Sequence, residues 1–133
     1  MPYHVKLYVL TLLAFLAIDA IWLGLVARGF YKTQLGFLMA PSPNWAAALV
    51  FYLLFIVGML VFVLEPSLRA ESLATALWRG ALYGLITYAT YDLTNQATVR
   101  DWPMLVTVVD MAWGSVLSAS VAAVGYAAGR WLA

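Results

Sequence analysis

Four long apolar segments follow one another along the chain. They cover Val5 to Ala27, Asn44 to Leu64, Leu73 to Ala97 and Pro103 to Leu132. Each has about the 20 residues or more that an α-helix needs to cross a bilayer core of roughly 30 Å. The second contains FYLLFIVGMLVFVL, which is apolar throughout, whereas the strands of a membrane barrel alternate. The pattern predicts an all-α polytopic membrane protein with four transmembrane helices.

The connections between the later segments are short, which favours antiparallel neighbours. The second connection is EPSLRAES and the third is VRDWP. We therefore expect an up-down bundle that forms a single domain over residues 1–133, with both termini on one side. Pro66 is expected to stop the second helix, Ser67 or Ser72 to cap the third, and Pro103 to begin the fourth.

The first connection is longer and mixes aromatic residues with cations. It runs from Arg28 to Pro43 and is too short and too polar to span. We predict an amphipathic segment that lies in the membrane interface. Tryptophans at predicted helix ends are expected to anchor the protein at the headgroups, as is typical of membrane helices; these are Trp45, Trp78, Trp102 and Trp131.

Composition excludes several classes of protein. Hydrophobic residues make up 65% of the chain and charged residues 10%, and the mean hydropathy is +0.92. This is too little charge for the surface of a soluble domain or for a nucleic-acid-binding protein, and it makes membrane lipid the expected partner. The chain has no Cys and a single His, His4. We therefore predict no metal site and no cofactor.

The distribution of cations gives an orientation. The side that holds the termini carries four, against three on the opposite side, so the positive-inside rule places both termini in the cytoplasm. The four are Lys6, Arg69, Arg79 and Arg130, and the three are Arg28, Lys32 and Arg100.

Three acidic residues fall inside the predicted helices. With a rise of 1.5 Å per residue, Asp19, Asp92 and Asp110 all lie roughly 8 to 12 Å below the surface opposite the termini. A charged side chain at this depth is costly and usually faces a protein interior or water. The three carboxyl groups are expected to meet at one level of the bundle.

Helical periodicity indicates which residues accompany them. In the third helix, one face carries two glycines followed by polar residues: Gly80, Gly84, Tyr88, Tyr91, Asp92 and Asn95. In the fourth helix, Gly114 follows Asp110 by one turn. Asp19 and Asp110 each begin a D-x-x-W sequence, on helices that run in opposite directions. The predicted ligand- or ion-binding set is Asp19, Trp22, Tyr88, Tyr91, Asp92, Asn95, Asp110 and Trp113.

Two interpretations of the acids remain open at this point. They form either a functional site or a structural polar network that holds the helices together. For function, we expect binding or transport of a cation, a proton or a small amphipathic ligand near the non-cytoplasmic face. The alternatives are an accessory subunit of a larger membrane complex and a lipid-modifying enzyme that uses paired carboxyl groups. No catalytic residue is predicted, and homo-oligomer and larger complex are both open.

Three stretches of the chain resemble a known family. FLAIDAIWLGLVARGFY, TYATYDLTNQATVRDWP and VDMAWGSVLS are similar to the bacterial inner-membrane proteins grouped as domain of unknown function 2177. The resemblance covers nearly the whole chain. It implies a location in the bacterial inner membrane and four spans, and it implies no activity.

Overall fold

The computed structural model describes residues 2–133, and within them the chain is helical with no strand. The helices bear out the all-α prediction. Their bounds are α1 Tyr3–Val26, α2 Phe30–Leu35, α3 Trp45–Arg69, α4 Leu73–Thr98 and α5 Met104–Leu132. A short 3-10 turn, Gly36–Leu38, follows α2.

Three helices, and not the four predicted, are both long and apolar enough to cross a membrane: α1, α3 and α5. The helix that fails is α4. At 26 residues it is long enough, since at 1.5 Å per residue it extends about 39 Å. Its composition is too polar for a membrane span, since it contains five threonines together with Arg79, Asp92, Asn95 and Gln96.

Two helix starts follow from their capping residues. The Asn44 side chain accepts a hydrogen bond from the Ala47 amide at 3.1 Å, and Ser72 Oγ accepts one from the Thr75 amide at 3.1 Å. Each bond satisfies an amide that the first helical turn leaves unpaired. Of the two serines proposed to cap the third predicted helix, Ser72 does so. Ser67 is buried within α3.

Pro66 does not stop the second predicted helix, which instead continues to Arg69. A proline lacks the amide that would bond to the carbonyl four residues earlier, here that of Phe62. Two features compensate. The turn before Pro66, Leu60–Leu64, is π-helical, and the Arg79 guanidinium of α4 donates from Nη1 to the Phe62 carbonyl oxygen at 3.2 Å.

The most extensive helix contact joins α4 and α5, and glycines make it possible. A Cβ on Gly84 would overlap the Gly114 carbonyl oxygen, and one on Gly80 would lie 2.7 Å from Ala122 Cβ and 2.8 Å from the Ser118 carbonyl oxygen. The two backbones therefore touch, as expected for the G-x-x-x-G step of α4. This contact sets the separation of the two helices.

The second G-x-x-x-G step, on α5, packs against other parts of the same chain. Gly125 lies against Leu64 and Gly129 against Leu68. The Tyr3 hydroxyl also donates to the Gly129 carbonyl oxygen at 3.0 Å. The start of α1, the end of α3 and the end of α5 thus share one end of the bundle, so the described terminal residues lie on the same side.

We expect Gly84→Ala to lower the stability of the bundle, because the new methyl group would force apart α4 and α5. Overpacking of this kind costs about 1–3 kcal/mol. Gly24→Ala is the matched control, since a Cβ there meets nothing within 4 Å. Thermal unfolding of both variants in detergent, followed by circular dichroism, measures the difference. Equal melting temperatures would show that the glycine contact is not the limiting one.

Candidate functional site

A cavity of about 380 Å³ opens between the helices at the end of the bundle opposite the termini. All five helices contribute to its wall. The described residues that line it include two of the three acids and six aromatic side chains, with no lysine or arginine: Asp19, Trp22, Leu23, Tyr31, Met39, Ala48, Phe51, Tyr52, Tyr88, Asp110 and Trp113. Five of the eight residues predicted from the sequence therefore line one space.

The two D-x-x-W sequences meet across the cavity. The indoles of Trp22 and Trp113 stack with ring centres 4.4 Å apart and an angle of 9° between the planes. Trp113 Nε1 donates to Asp19 Oδ1 at 3.2 Å, so the tryptophan of one sequence binds the acid of the other. The antiparallel course of α1 and α5 makes this exchange possible.

Tyr31 connects the other tryptophan, Trp22, to the other acid, Asp110. Trp22 Nε1 donates to the Tyr31 hydroxyl oxygen at 3.0 Å, and the same hydroxyl donates to Asp110 Oδ1 at 2.8 Å. Burial raises the pKa of Tyr31 above its ordinary value, with the Asp110 carboxylate adding to the rise. The hydroxyl therefore stays protonated and keeps its donor. Through it, the short helix α2 is fixed to α5.

Tyr88 lines both this cavity and a second space. Its ring packs directly on Gly114, where any Cβ would overlap it. The second space, about 340 Å³, is lined by Phe51, Thr87, Tyr88, Tyr91 and Asp110. The two spaces share three residues, so Asp110 faces both of them.

Asp92 differs from the other two acids. It is completely buried, it lines neither cavity, and neither carboxyl oxygen has a hydrogen-bond partner among residues 2–133. It lies close enough to Asp110 for the two carboxyl groups to interact. Asp110 is thus the middle member of the three, since it interacts with both Asp19 and Asp92.

Asn95 and Tyr91 lie at the edge of the site. Tyr91 is more than half exposed and meets Trp102 edge to face, at 5.6 Å between ring centres. Asn95 lines neither cavity. The structure therefore does not bring Asn95 together with the five predicted residues that line the first cavity.

Trp102 corrects the prediction of an interfacial anchor. Only 7% of it is exposed, and its Nε1 donates to Thr107 Oγ1 at 3.1 Å. The Thr107 hydroxyl in turn donates to Gln96 Oε1 at 2.8 Å, and Gln96 Nε2 donates to the Trp102 carbonyl oxygen at 3.0 Å. This closed polar ring joins α4, the turn and α5 just beyond Asp92. Trp45, Trp78 and Trp131 are exposed, in contrast.

The sequence interpretation missed the contributions of α2, of the segment that follows it and of α3 to the site. These are Tyr31, Met39, Ala48, Phe51 and Tyr52. The only signal for Tyr31 was an aromatic residue in an interfacial segment. Phe51 and Tyr52 lie in a run that is apolar at nearly every position, so periodicity could not assign them a face.

Comparison with known proteins gives one family. Residues 4–127 match the family described as "Predicted membrane protein (DUF2177)". No curated protein and no solved structure matches the chain.

We expect Asp92→Asn to melt at the same temperature as the native protein or above it. No hydrogen bond to the Asp92 carboxyl is lost, and the new amide can donate to Asp110. An amide also replaces the carboxyl group at nearly constant volume and has no charged form that burial would penalise. Thr107→Val is the matched contrast, because it removes a hydroxyl from the closed ring at nearly constant volume and should cost about 1–3 kcal/mol. A loss for Asp92→Asn as large as that for Thr107→Val would mean that Asp92 holds the helices together.

Proposed function

The chain belongs to the DUF2177 family of predicted membrane proteins, and from that premise we propose that it binds a small organic cation in the aspartate–tryptophan cavity. The observation that carries the proposal is the lining itself. Two carboxyl groups, on Asp19 and Asp110, lie among six aromatic rings, and no cation lines the wall to neutralise them.

The free oxygens of the two acids are available to a ligand. The hydrogen bonds from Trp113 and Tyr31 go to the Oδ1 atoms of Asp19 and Asp110, and both acceptors are held in place by these donors. Charge-assisted bonds of this kind are strong and orient the carboxylate. Each Oδ2 remains to pair with a positive ligand.

The aromatic rings favour an alkylated ammonium group over a hard metal ion. A cation over the face of Trp or Tyr is attracted by the ring quadrupole, and the attraction grows when water is excluded. Ca²⁺ in contrast takes six to eight oxygen ligands. A cavity of about 380 Å³ is also of the size that accommodates a small organic molecule. Binding is the first step of transport as well, so the same cavity supports the transport hypothesis.

We further propose that α4 crosses the membrane together with the other three long helices. The hydroxyl groups of three of its threonines are already satisfied within the helix, which lowers the cost of placing them in a membrane. Thr87, Thr90 and Thr98 each donate to a carbonyl oxygen one turn earlier at 2.7–2.8 Å. Asp92 is covered by its neighbours and Arg79 bonds to α3. Four spans place both termini on one side, which the cation bias assigns to the cytoplasm of a bacterial inner membrane.

Single-cysteine labelling tests this topology. The chain has no cysteine of its own, so Ala70→Cys and Arg100→Cys, both at exposed positions, give two clean reporters at the two ends of α4. We expect an impermeant maleimide to label Arg100→Cys from outside intact cells and Ala70→Cys only after the membrane is opened. Labelling of both from one side would show that α4 does not cross.

Phenyltrimethylammonium is the probe for the proposed ligand class. We expect purified protein in detergent to bind it with quenching of tryptophan fluorescence, because it would enter beside the stacked indoles. Asp110→Asn should weaken binding about tenfold or more, equivalent to about 1.4 kcal/mol. The variant removes the charge and keeps an oxygen that accepts from Tyr31, so the fold is preserved.

Two controls separate charge from shape. The uncharged isostere tert-butylbenzene should bind much more weakly than phenyltrimethylammonium. Asp101→Asn removes an exposed acid outside the cavity and should leave affinity unchanged. Equal binding of the charged and uncharged probes, or an unaffected Asp110→Asn variant, would overturn the proposal.

A further inference from the structure

A second, smaller groove lies between α3 and α4 towards the opposite end of the bundle. Its volume is about 220 Å³, and Arg79 is the one cation in a wall that is otherwise apolar and aromatic. The apolar and aromatic lining residues include Phe62, Trp78, Leu82, Tyr83 and Ile86. It shares no residue with the aspartate–tryptophan cavity. The groove is therefore a separate feature of the surface.

The charge of Arg79 has no acidic partner among residues 2–133. The two ion pairs there join Arg69 to Glu65 and Arg130 to Glu71. Arg79 makes one hydrogen bond, to the Phe62 carbonyl oxygen, and its Nε is buried with no acceptor. A guanidinium has five N–H donors. Most of its bonding capacity is thus left for a group from outside the chain.

With α4 crossing the membrane as proposed above, Arg79 lies close to the phosphate level of the bilayer. It lies six residues after the start of α4 at Leu73, which is about 9 Å along the helix. The headgroup region on each side is roughly 5–8 Å thick, and a long arginine side chain extends towards it. Trp78, whose ring lies 4.9 Å from the Arg79 guanidinium carbon, is half exposed, as a residue at the headgroups is expected to be.

We propose that this groove is a binding site for an anionic phospholipid, with the phosphate on Arg79 and an acyl chain along Phe62, Leu82 and Ile86. Arginine pairs with phosphate through parallel hydrogen bonds. A lipid whose headgroup adds no positive charge balances the unpaired guanidinium, whereas the choline of a zwitterionic lipid opposes it. The apolar wall distinguishes a lipid from a soluble phosphate.

Native mass spectrometry of the full chain in detergent tests the site. We expect one phosphatidylglycerol molecule to be retained about tenfold more tightly than phosphatidylcholine. Arg79→Gln should abolish this preference, while Arg79→Lys, which keeps the charge, should retain part of it. Arg69→Gln is the matched control, because Arg69 is exposed and already paired with Glu65, and it should bind as the native protein does.

Three results would overturn the proposal. The first is equal retention of the two lipids by the native protein, which decides the matter even if Arg79→Gln fails to fold. The second is an unchanged preference in a folded Arg79→Gln variant. The third is displacement of phosphatidylglycerol by millimolar inorganic phosphate, which would make the site one for a soluble anion.

Discussion

The contact of backbone with backbone at Gly84 and Gly114 is the constraint on which the rest of this bundle depends. Because neither residue has a side chain, α4 and α5 approach until the Gly114 carbonyl touches Gly84. On the same pair of helices, Asp92 is completely buried and lies beside Asp110. The ring of Tyr88 packs on Gly114 at the same contact, where it lines both cavities. Packing and site thus share one cause.

Much of this arrangement could be predicted from the sequence, because helical periodicity and rise relate positions that lie on one helix or at one depth. The glycines of α4 were assigned to a helix-contact face, and they occupy one. Asp19 and Asp110 were placed at one level, and they line one cavity. The D-x-x-W sequences were assigned to helices that run in opposite directions, and the structure adds that their tryptophans stack.

The remainder depends on contacts between elements that no local pattern encodes. Tyr31 reaches Asp110 across 79 residues of sequence, and only the folded position of α2 shows it. Pro66 has a strong local preference to end a helix, which a π-helical turn and an arginine from another helix overcome. Trp102 lies at a predicted helix end, as an interfacial anchor does, yet Thr107 provides its indole N–H with a buried acceptor. A hydropathy scale also counts every threonine of α4 as polar, because it takes no account of the hydrogen bonds that their hydroxyl groups form within the helix.

The stacked pair of indoles has an optical consequence. Trp22 and Trp113 come from the first and last long helices, and their rings are nearly parallel at 4.4 Å between centres. The electronic transitions of two chromophores this close couple, so the circular dichroism of the pair depends on the separation of α1 and α5. Parting the helices restores two independent indoles. The pair is therefore an intrinsic spectroscopic reporter of the distance between α1 and α5 at the cavity.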